Sequence, residues 1–175
     1  MKYWFEKYAV IAVGKWFEQK GFEVRISVPG KVKNLMHSDL GGLTIPEIAD
    51  EDFNNPQHRY TVYYDSPGTI DLVARNESQL WVVQAKGVTK RSNAPGDIAQ
   101  AVGQIVLLMT QSEPSVYYGL IFPEEPRFLR VLSQIEADNP VFTRNDWQLF
   151  LVSKEGQVKV FNFREFILAH LASTP

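Results

Sequence analysis

The chain contains no cysteine among its 175 residues. Disulfide bonds, thiolate zinc sites and cysteine nucleophiles are therefore excluded. No apolar run approaches the roughly 20 residues that span a bilayer. The first residues are basic and aromatic with an early acid, and they do not resemble a signal peptide. We therefore expect a cytoplasmic protein with no membrane partner.

A strong net charge is also lacking, since the chain carries a formal charge of −2. That value is not typical of a protein that binds nucleic acid with its whole surface. Contacts with nucleic acid would have to come from local basic patches. One candidate is the short run of Lys86, Lys90 and Arg91, which contains no acid. This run would either contact phosphate or form a solvated loop.

The length and the 45% apolar fraction predict one globular domain over residues 1–175. Hydrophobic periodicity predicts helices and strands in alternation. Gly, Pro, Asn and Asp recur without an apolar period over 30–58, which we interpret as a long loop or insertion. The predicted helices cover residues 2–20, 97–110, 127–137 and 164–172, with Asp97 as a candidate helix cap. The predicted strands cover residues 22–28, 59–64, 69–75, 79–86, 116–122, 147–152 and 158–161.

Two of these strands, 69–75 and 79–86, are separated only by the polar turn Asn76-Glu77-Ser78, so they should form a hairpin. The order of elements predicts an α/β domain with a mixed β-sheet flanked by helices. Its core would cover about 2–122. A C-terminal extension would follow over about 123–175.

The hairpin brings three chemically interesting side chains together. Gln84 and Lys86 are two residues apart on one strand, so they point to the same face. Asp71 lies on the partner strand, opposite roughly Val83 or Gln84. A carboxylate, an amide oxygen and an ammonium group would then converge at one end of the sheet.

This trio suits the hydrolysis of a phosphodiester. A hard cation such as Mg²⁺ prefers oxygen ligands and keeps several water molecules. Asp71 would be the charged ligand, while the Gln84 side chain and the Ala85 carbonyl would add neutral oxygens. Lys86 would orient the attacking water, favour its deprotonated form, or stabilise charge on the phosphate. In the simpler alternative, Asp71 begins a turn or forms a structural ion pair with Lys86.

The same residues resemble the motif of the PD-(D/E)XK nuclease superfamily, in which an acid is followed across a hairpin by acid-X-Lys. Asp71 matches the first acid, and Gly68 and Leu72 match the surrounding residues. Ile70 stands where the family name has proline. Gln84-Ala85-Lys86 occupies the second half, with Gln84 in place of the usual Asp or Glu. This Gln-X-Lys form is similar to that of Mrr-like restriction endonucleases.

The resemblance implies a restriction endonuclease-like core with the order α-β-β-β-α-β. It also implies that the first helix supplies an acid near the metal, for which Glu6 is the candidate. In RecB-like members a glutamine of the helix after the lysine reaches the site. Gln104 matches that glutamine best and Gln100 less well, while Leu108 stands where those members have tyrosine.

The implied function is a metal-dependent endonuclease that hydrolyses DNA phosphodiester bonds with Mg²⁺, for which Mn²⁺ could substitute. A homodimer is implied, because many relatives cut both strands as dimers. Two other interpretations stay open. In the first, the chain keeps the fold without catalysis and binds nucleic acid or a protein partner. In the second, it is a protein–protein interaction domain with no nucleic-acid role.

Overall fold

The protein is described here from a computed structural model, which defines residues 6–26, 70–87, 93–109, 116–143 and 146–171. The predicted insertion over 30–58 and the predicted strand over 59–64 lie outside these residues. The helices are α1 (Glu6–Glu18), α2 (Ala94–Leu108), α3 (Pro126–Leu132), α4 (Pro140–Thr143) and α5 (Phe163–Leu171). The strands are β1 (Glu23–Ile26), β2 (Leu72–Arg75), β3 (Leu80–Ala85), β4 (Val116–Pro123), β5 (Gln148–Val152) and β6 (Val158–Asn162).

The strands form one six-stranded mixed sheet in the order β1-β2-β3-β4-β5-β6. Neighbouring strands are antiparallel from β1 to β3 and again between β5 and β6, whereas β3, β4 and β5 run parallel. The short turn between β2 and β3 can join only antiparallel strands, and parallel neighbours require a crossover. Helix α2 supplies that crossover between β3 and β4. The predicted α/β class and the mixed sheet flanked by helices are confirmed.

The predicted hairpin is confirmed in detail. The backbone N–H of Asn76 donates to the carbonyl of Gln79 at 3.0 Å. The side-chain oxygen of Asn76 in turn accepts from the backbone N–H groups of Ser78 and Gln79, at 3.0 and 2.8 Å. An asparagine that bonds its own backbone in this way favours a turn over continued strand. The turn therefore fixes the register in which β2 and β3 pair.

Helix α1 lies across the sheet and forms the centre of the hydrophobic core. Its Phe17 ring contacts those of Trp81 on β3 and Phe150 on β5, at centroid distances of 5.5 Å each. Gly21 follows the helix with a φ of 83°, a conformation that suits glycine, so its predicted role as helix stop is confirmed. Because Phe150 belongs to the C-terminal part of the chain, that part shares this core. No helix in the described ranges combines the length and apolarity needed to cross a bilayer.

Two helix boundaries differ from the prediction. Asn93 is the N-cap of α2, so the prediction that Asp97 caps this helix is wrong. The helix predicted over 127–137 is also wrong in length, because α3 ends at Leu132. The chain turns after that residue. Asn139 then accepts from the backbone N–H of Val141 through its side chain, and this starts the short helix α4 that periodicity did not predict.

Gly119 on β4 provides a test of the side-chain packing between neighbouring strands of the sheet. A Cβ atom at this position would lie 2.7 Å from Cε2 of Phe150. We expect Gly119→Ala to destabilise the protein by about 1–3 kcal/mol, because the rigid ring must move. Gly103, inside α2, is the matched control, because an added Cβ there meets nothing within 4 Å. Gly103→Ala should stabilise by about 0.5–1 kcal/mol in urea unfolding. An equal effect of the two substitutions would contradict this packing.

Candidate active site

Asp71 is held at the point where the hairpin opens. Leu72 on β2 pairs with Val83 on β3, so one further step of the register brings Asp71 opposite Gln84. The backbone N–H of Ala85 donates to Oδ2 of Asp71 at 2.8 Å. The sequence predicts either Val83 or Gln84 opposite Asp71. Because Val83 pairs with Leu72, the residue opposite Asp71 is Gln84. The carboxylate is tied to the carboxyl end of β3.

Gln84 and Lys86 occupy that same end of β3. The Gln84 side chain is only 2% exposed, and its Oε1 accepts no hydrogen bond within the described residues. The backbone N–H of Lys86 donates to the carbonyl of Ile121, which fixes the strand end against β4. The Lys86 side chain is 13% exposed. A buried amide oxygen without a donor is unfavourable, so Gln84 presents an acceptor suited to a bound group.

Glu6 reaches the same place from another element. It is the first residue of α1, and its Oε2 lies 4.0 Å from Nζ of Lys86. The sequence-based alternative of an ion pair between Asp71 and Lys86 is not what the structure shows, since the ion pair of Lys86 is with Glu6. Burial raises the pKa of Glu6, whereas Lys86 and the backbone N–H of Gly87 oppose that rise. The structure thus brings Glu6, Asp71, Gln84 and Lys86 together.

The electrostatics of Asp71 are unusual for an aspartate. Burial and, after it, the nearby carboxylate of Glu6 raise its pKa from 3.8 to about 7. The Ala85 N–H and the Lys86 ammonium act in the opposite direction but do not cancel these effects. A carboxylate in this state gains strongly from a cation placed beside it.

Helix α2 carries two further buried oxygens. The Oε1 of Gln104 is buried without a hydrogen-bond partner in the described part of the chain, and the role implied for it by the resemblance to RecB-like members stays a prediction. Gln100 is exposed, which does not favour a role for it. No site role is predicted from the sequence for Asp97, but its Oδ2 is buried and has no hydrogen-bond partner among the described residues. An acid in the first turn of the helix after Lys86 was the available signal, but it was interpreted as a cap.

The donor set limits which kind of metal ion could bind here. In the described ranges, no three His, Asp or Glu side chains are grouped closely enough to hold one metal ion. Among these residues, Glu6 and Asp71 are the carboxylates placed to ligate directly, with the Gln84 oxygen and the Ala85 carbonyl as neutral additions. Such a set fits a hard cation that retains several waters, such as Mg²⁺. It does not fit a closed tetrahedral zinc site.

An open cleft of about 510 Å³ lies at the opposite end of β2 and β3, beside the hairpin turn. Its lining includes Gly21, Phe22 and Asn76, and none of the converging polar residues described above. In comparisons with family models, curated proteins and solved structures, none matches this chain.

Proposed function

We propose that this protein is a metal-dependent endonuclease that hydrolyses DNA phosphodiester bonds at the carboxyl end of β3. The observation that carries the proposal is the buried, unpartnered Oε1 of Gln84 beside Asp71 and the Glu6–Lys86 pair. If Glu6 and Lys86 formed only a structural ion pair, the buried Gln84 oxygen beside them would have no reason to lack a hydrogen-bond donor. A divalent cation would satisfy that oxygen and neutralise both carboxylates.

Each residue has a distinct task in this proposal. Asp71 and Glu6 would hold Mg²⁺ or Mn²⁺ with their carboxylates, and Gln84 and Ala85 would add neutral oxygens. The cation, when bound, supplies a Lewis acid that polarises the phosphate and lowers the pKa of its water. Lys86 is held beside Glu6 by their 4.0 Å contact, and its ammonium would stabilise charge that develops on the phosphate.

The order of elements supports the same proposal. Among the described residues, helix α1, strands β1 to β3, helix α2 and strand β4 come in the order α-β-β-β-α-β, and the four strands are neighbours in that order. This is the arrangement implied by the resemblance to the PD-(D/E)XK superfamily, so we propose a restriction endonuclease-like core. Duplex DNA is the proposed substrate. A homodimer would place one active site on each strand of the DNA duplex.

The direct test is a cleavage assay on plasmid, linear duplex, branched and single-stranded DNA with Mg²⁺ or Mn²⁺. We expect cleavage that requires one of these metals and stops when a chelator is added, because the proposed ligands need the cation to act. Full activity in the presence of the chelator would exclude this mechanism. RNA of matching form serves as the comparison for the proposed DNA substrate.

The affinity for metal should depend on pH. Asp71 must lose its proton to bind a cation, and its pKa in the metal-free protein is about 7. We therefore expect the affinity for Mn²⁺ to rise about tenfold for each pH unit between about 5 and 7 and to level off above that range. Isothermal titration across this pH range measures the effect. A flat profile would show that Asp71 does not take part.

The amide at Gln84 also supports a second candidate, a module of this fold that binds nucleic acid or a protein partner without cleaving anything. An amide ligand carries one negative charge fewer than the usual acid, which weakens attraction for a cation. This candidate predicts DNA binding that is independent of metal and no cleavage of any nucleic acid. The same assay therefore separates the two candidates.

A further inference from the structure

The proposed function leaves unused one carboxylate at the edge of the site, that of Asp97 in the first turn of α2. Its backbone N–H donates to the Asn93 carbonyl at 2.8 Å, but the side-chain Oδ2 is buried and accepts nothing within the described residues. A buried carboxylate oxygen without a donor is costly in free energy. This oxygen is therefore free to accept a hydrogen bond from a bound group.

The position of Asp97 links it to the residues already described. Its charge raises the pKa of Glu6, and Glu6 in turn raises that of Asp71. Helix α2 makes the crossover from β3 to the parallel strand β4, so its first turn follows the carboxyl end of β3, where Lys86 pairs with Glu6. The first turns of α1 and α2 bring these charges toward the carboxyl end of β3.

The buried Gln84 oxygen, on the residue opposite Asp71, points to a ligand independently of the acids. Gln84, 2% exposed on β3, and Gln104, seven residues after Asp97 on α2, each bury an Oε1 without a hydrogen-bond partner in the described ranges. Seven residues are about two helical turns, so Asp97 and Gln104 lie on the same side of α2. Acceptors without donors therefore come from both the helix and the strand.

The spacing of the acidic side chains determines whether Asp97 could bind the cation directly. Since no three acids among the described residues are grouped to hold one ion directly, Asp97 is not a third direct ligand beside Glu6 and Asp71. A hard cation keeps several waters, and those waters are hydrogen-bond donors. An outer carboxylate that accepts from such waters is a strong determinant of metal affinity.

We propose that Asp97 belongs to this site as an outer carboxylate, which accepts hydrogen bonds from the hydration shell of the cation. Its negative charge replaces the one that is absent at Gln84. The inference rests on the proposed function, because it needs a cation at Asp71, but it concerns a residue outside the ligand set. Asp97 is a positioning residue rather than a catalytic one.

The test is the affinity for Mn²⁺ alone, measured by isothermal titration with wild type, Asp97→Asn and Asp71→Asn. We expect Asp97→Asn to weaken binding about 10- to 100-fold, the range for outer-sphere partners. Glu165→Gln is the matched control, since Glu165 lies in the first turn of α5 and is exposed. The control should bind Mn²⁺ like wild type, which separates a site effect from a helix-dipole effect.

A second variant tests the replacement of charge. Adding Gln84→Glu to Asp97→Asn should restore most of the lost affinity, since the total negative charge is returned. Wild-type affinity in Asp97→Asn, or no recovery in the double variant, would overturn the inference while loss of binding in Asp71→Asn still supported the proposed function. Absence of Mn²⁺ binding by the wild type would overturn the proposed function itself. Unfolding midpoints without metal establish that each variant folds.

Discussion

Asp71→Asn should make the metal-free protein more stable while it removes metal binding and DNA cleavage. The pKa of Asp71 is raised from 3.8 to about 7, so the folded state holds the proton more tightly than the unfolded state. The stability of the wild type therefore falls as pH rises from about 4 to about 7, and the penalty is complete above that range. Asparagine cannot ionise and escapes this penalty, which amounts to at most about 4 kcal/mol.

The same substitution removes the charged ligand of the proposed cation. Millimolar Mg²⁺ should stabilise the wild type, because a ligand that binds only the folded state raises its stability. It should leave Asp71→Asn unchanged, and cleavage should fall by about 10²–10⁴-fold. Urea unfolding at pH 5 and pH 8, with Mg²⁺ and with chelator, measures the stability effects. Asp138→Asn, at an exposed aspartate after α3, is the control that should change nothing.

Two results would contradict this prediction. If Asp71→Asn destabilised the metal-free protein at pH 8, the attraction of the ionised carboxylate to the Ala85 N–H and to Lys86 would outweigh the cost of burying its charge. If the variant still cleaved DNA at the wild-type rate, Asp71 would not be a metal ligand. The first result concerns the electrostatics of the folded state, whereas the second concerns function.

Lys86→Ala should reduce cleavage by about 10²–10⁴-fold and leave metal binding intact. Lys86 carries no metal-ligating group, and its ammonium lies 4.0 Å from Glu6 with little exposure. Its loss removes the positive charge offered to the phosphate. The affinity for Mn²⁺ should not weaken, because a cation that competes with the metal for Glu6 is removed. Single-turnover cleavage at saturating metal separates this effect from a loss of binding.

Lys159 offers a matched control for this substitution. It also forms an ion pair with a glutamate, at 2.7 Å from Oε1 of Glu124, but its side chain is 51% exposed. Lys159→Ala should leave cleavage and metal binding unchanged, and surface pairs of this kind contribute little to stability. Equal cleavage by Lys86→Ala and Lys159→Ala would remove Lys86 from the mechanism.

Much of the local structure was predictable from sequence because its causes are local. The apolar period of α1, the glycine that ends it and the asparagine turn between β2 and β3 each depend on neighbouring residues. The side-chain alternation that places Gln84 and Lys86 on one face is a property of any β-strand. The α3 boundary differs from the prediction because Ile135 and Ala137 continue the apolar pattern and pack against the core, although the helix ends at Leu132.

By itself, then, the sequence determined the hairpin, the α/β order of elements and the candidate trio of Asp71, Gln84 and Lys86. Only the tertiary structure decided that Glu6 pairs with Lys86, and that the Gln84 oxygen is buried without a donor among the described residues. The reason is physical. Residue type and periodicity specify which face a side chain takes, but burial and the charge around it depend on elements far apart in the chain.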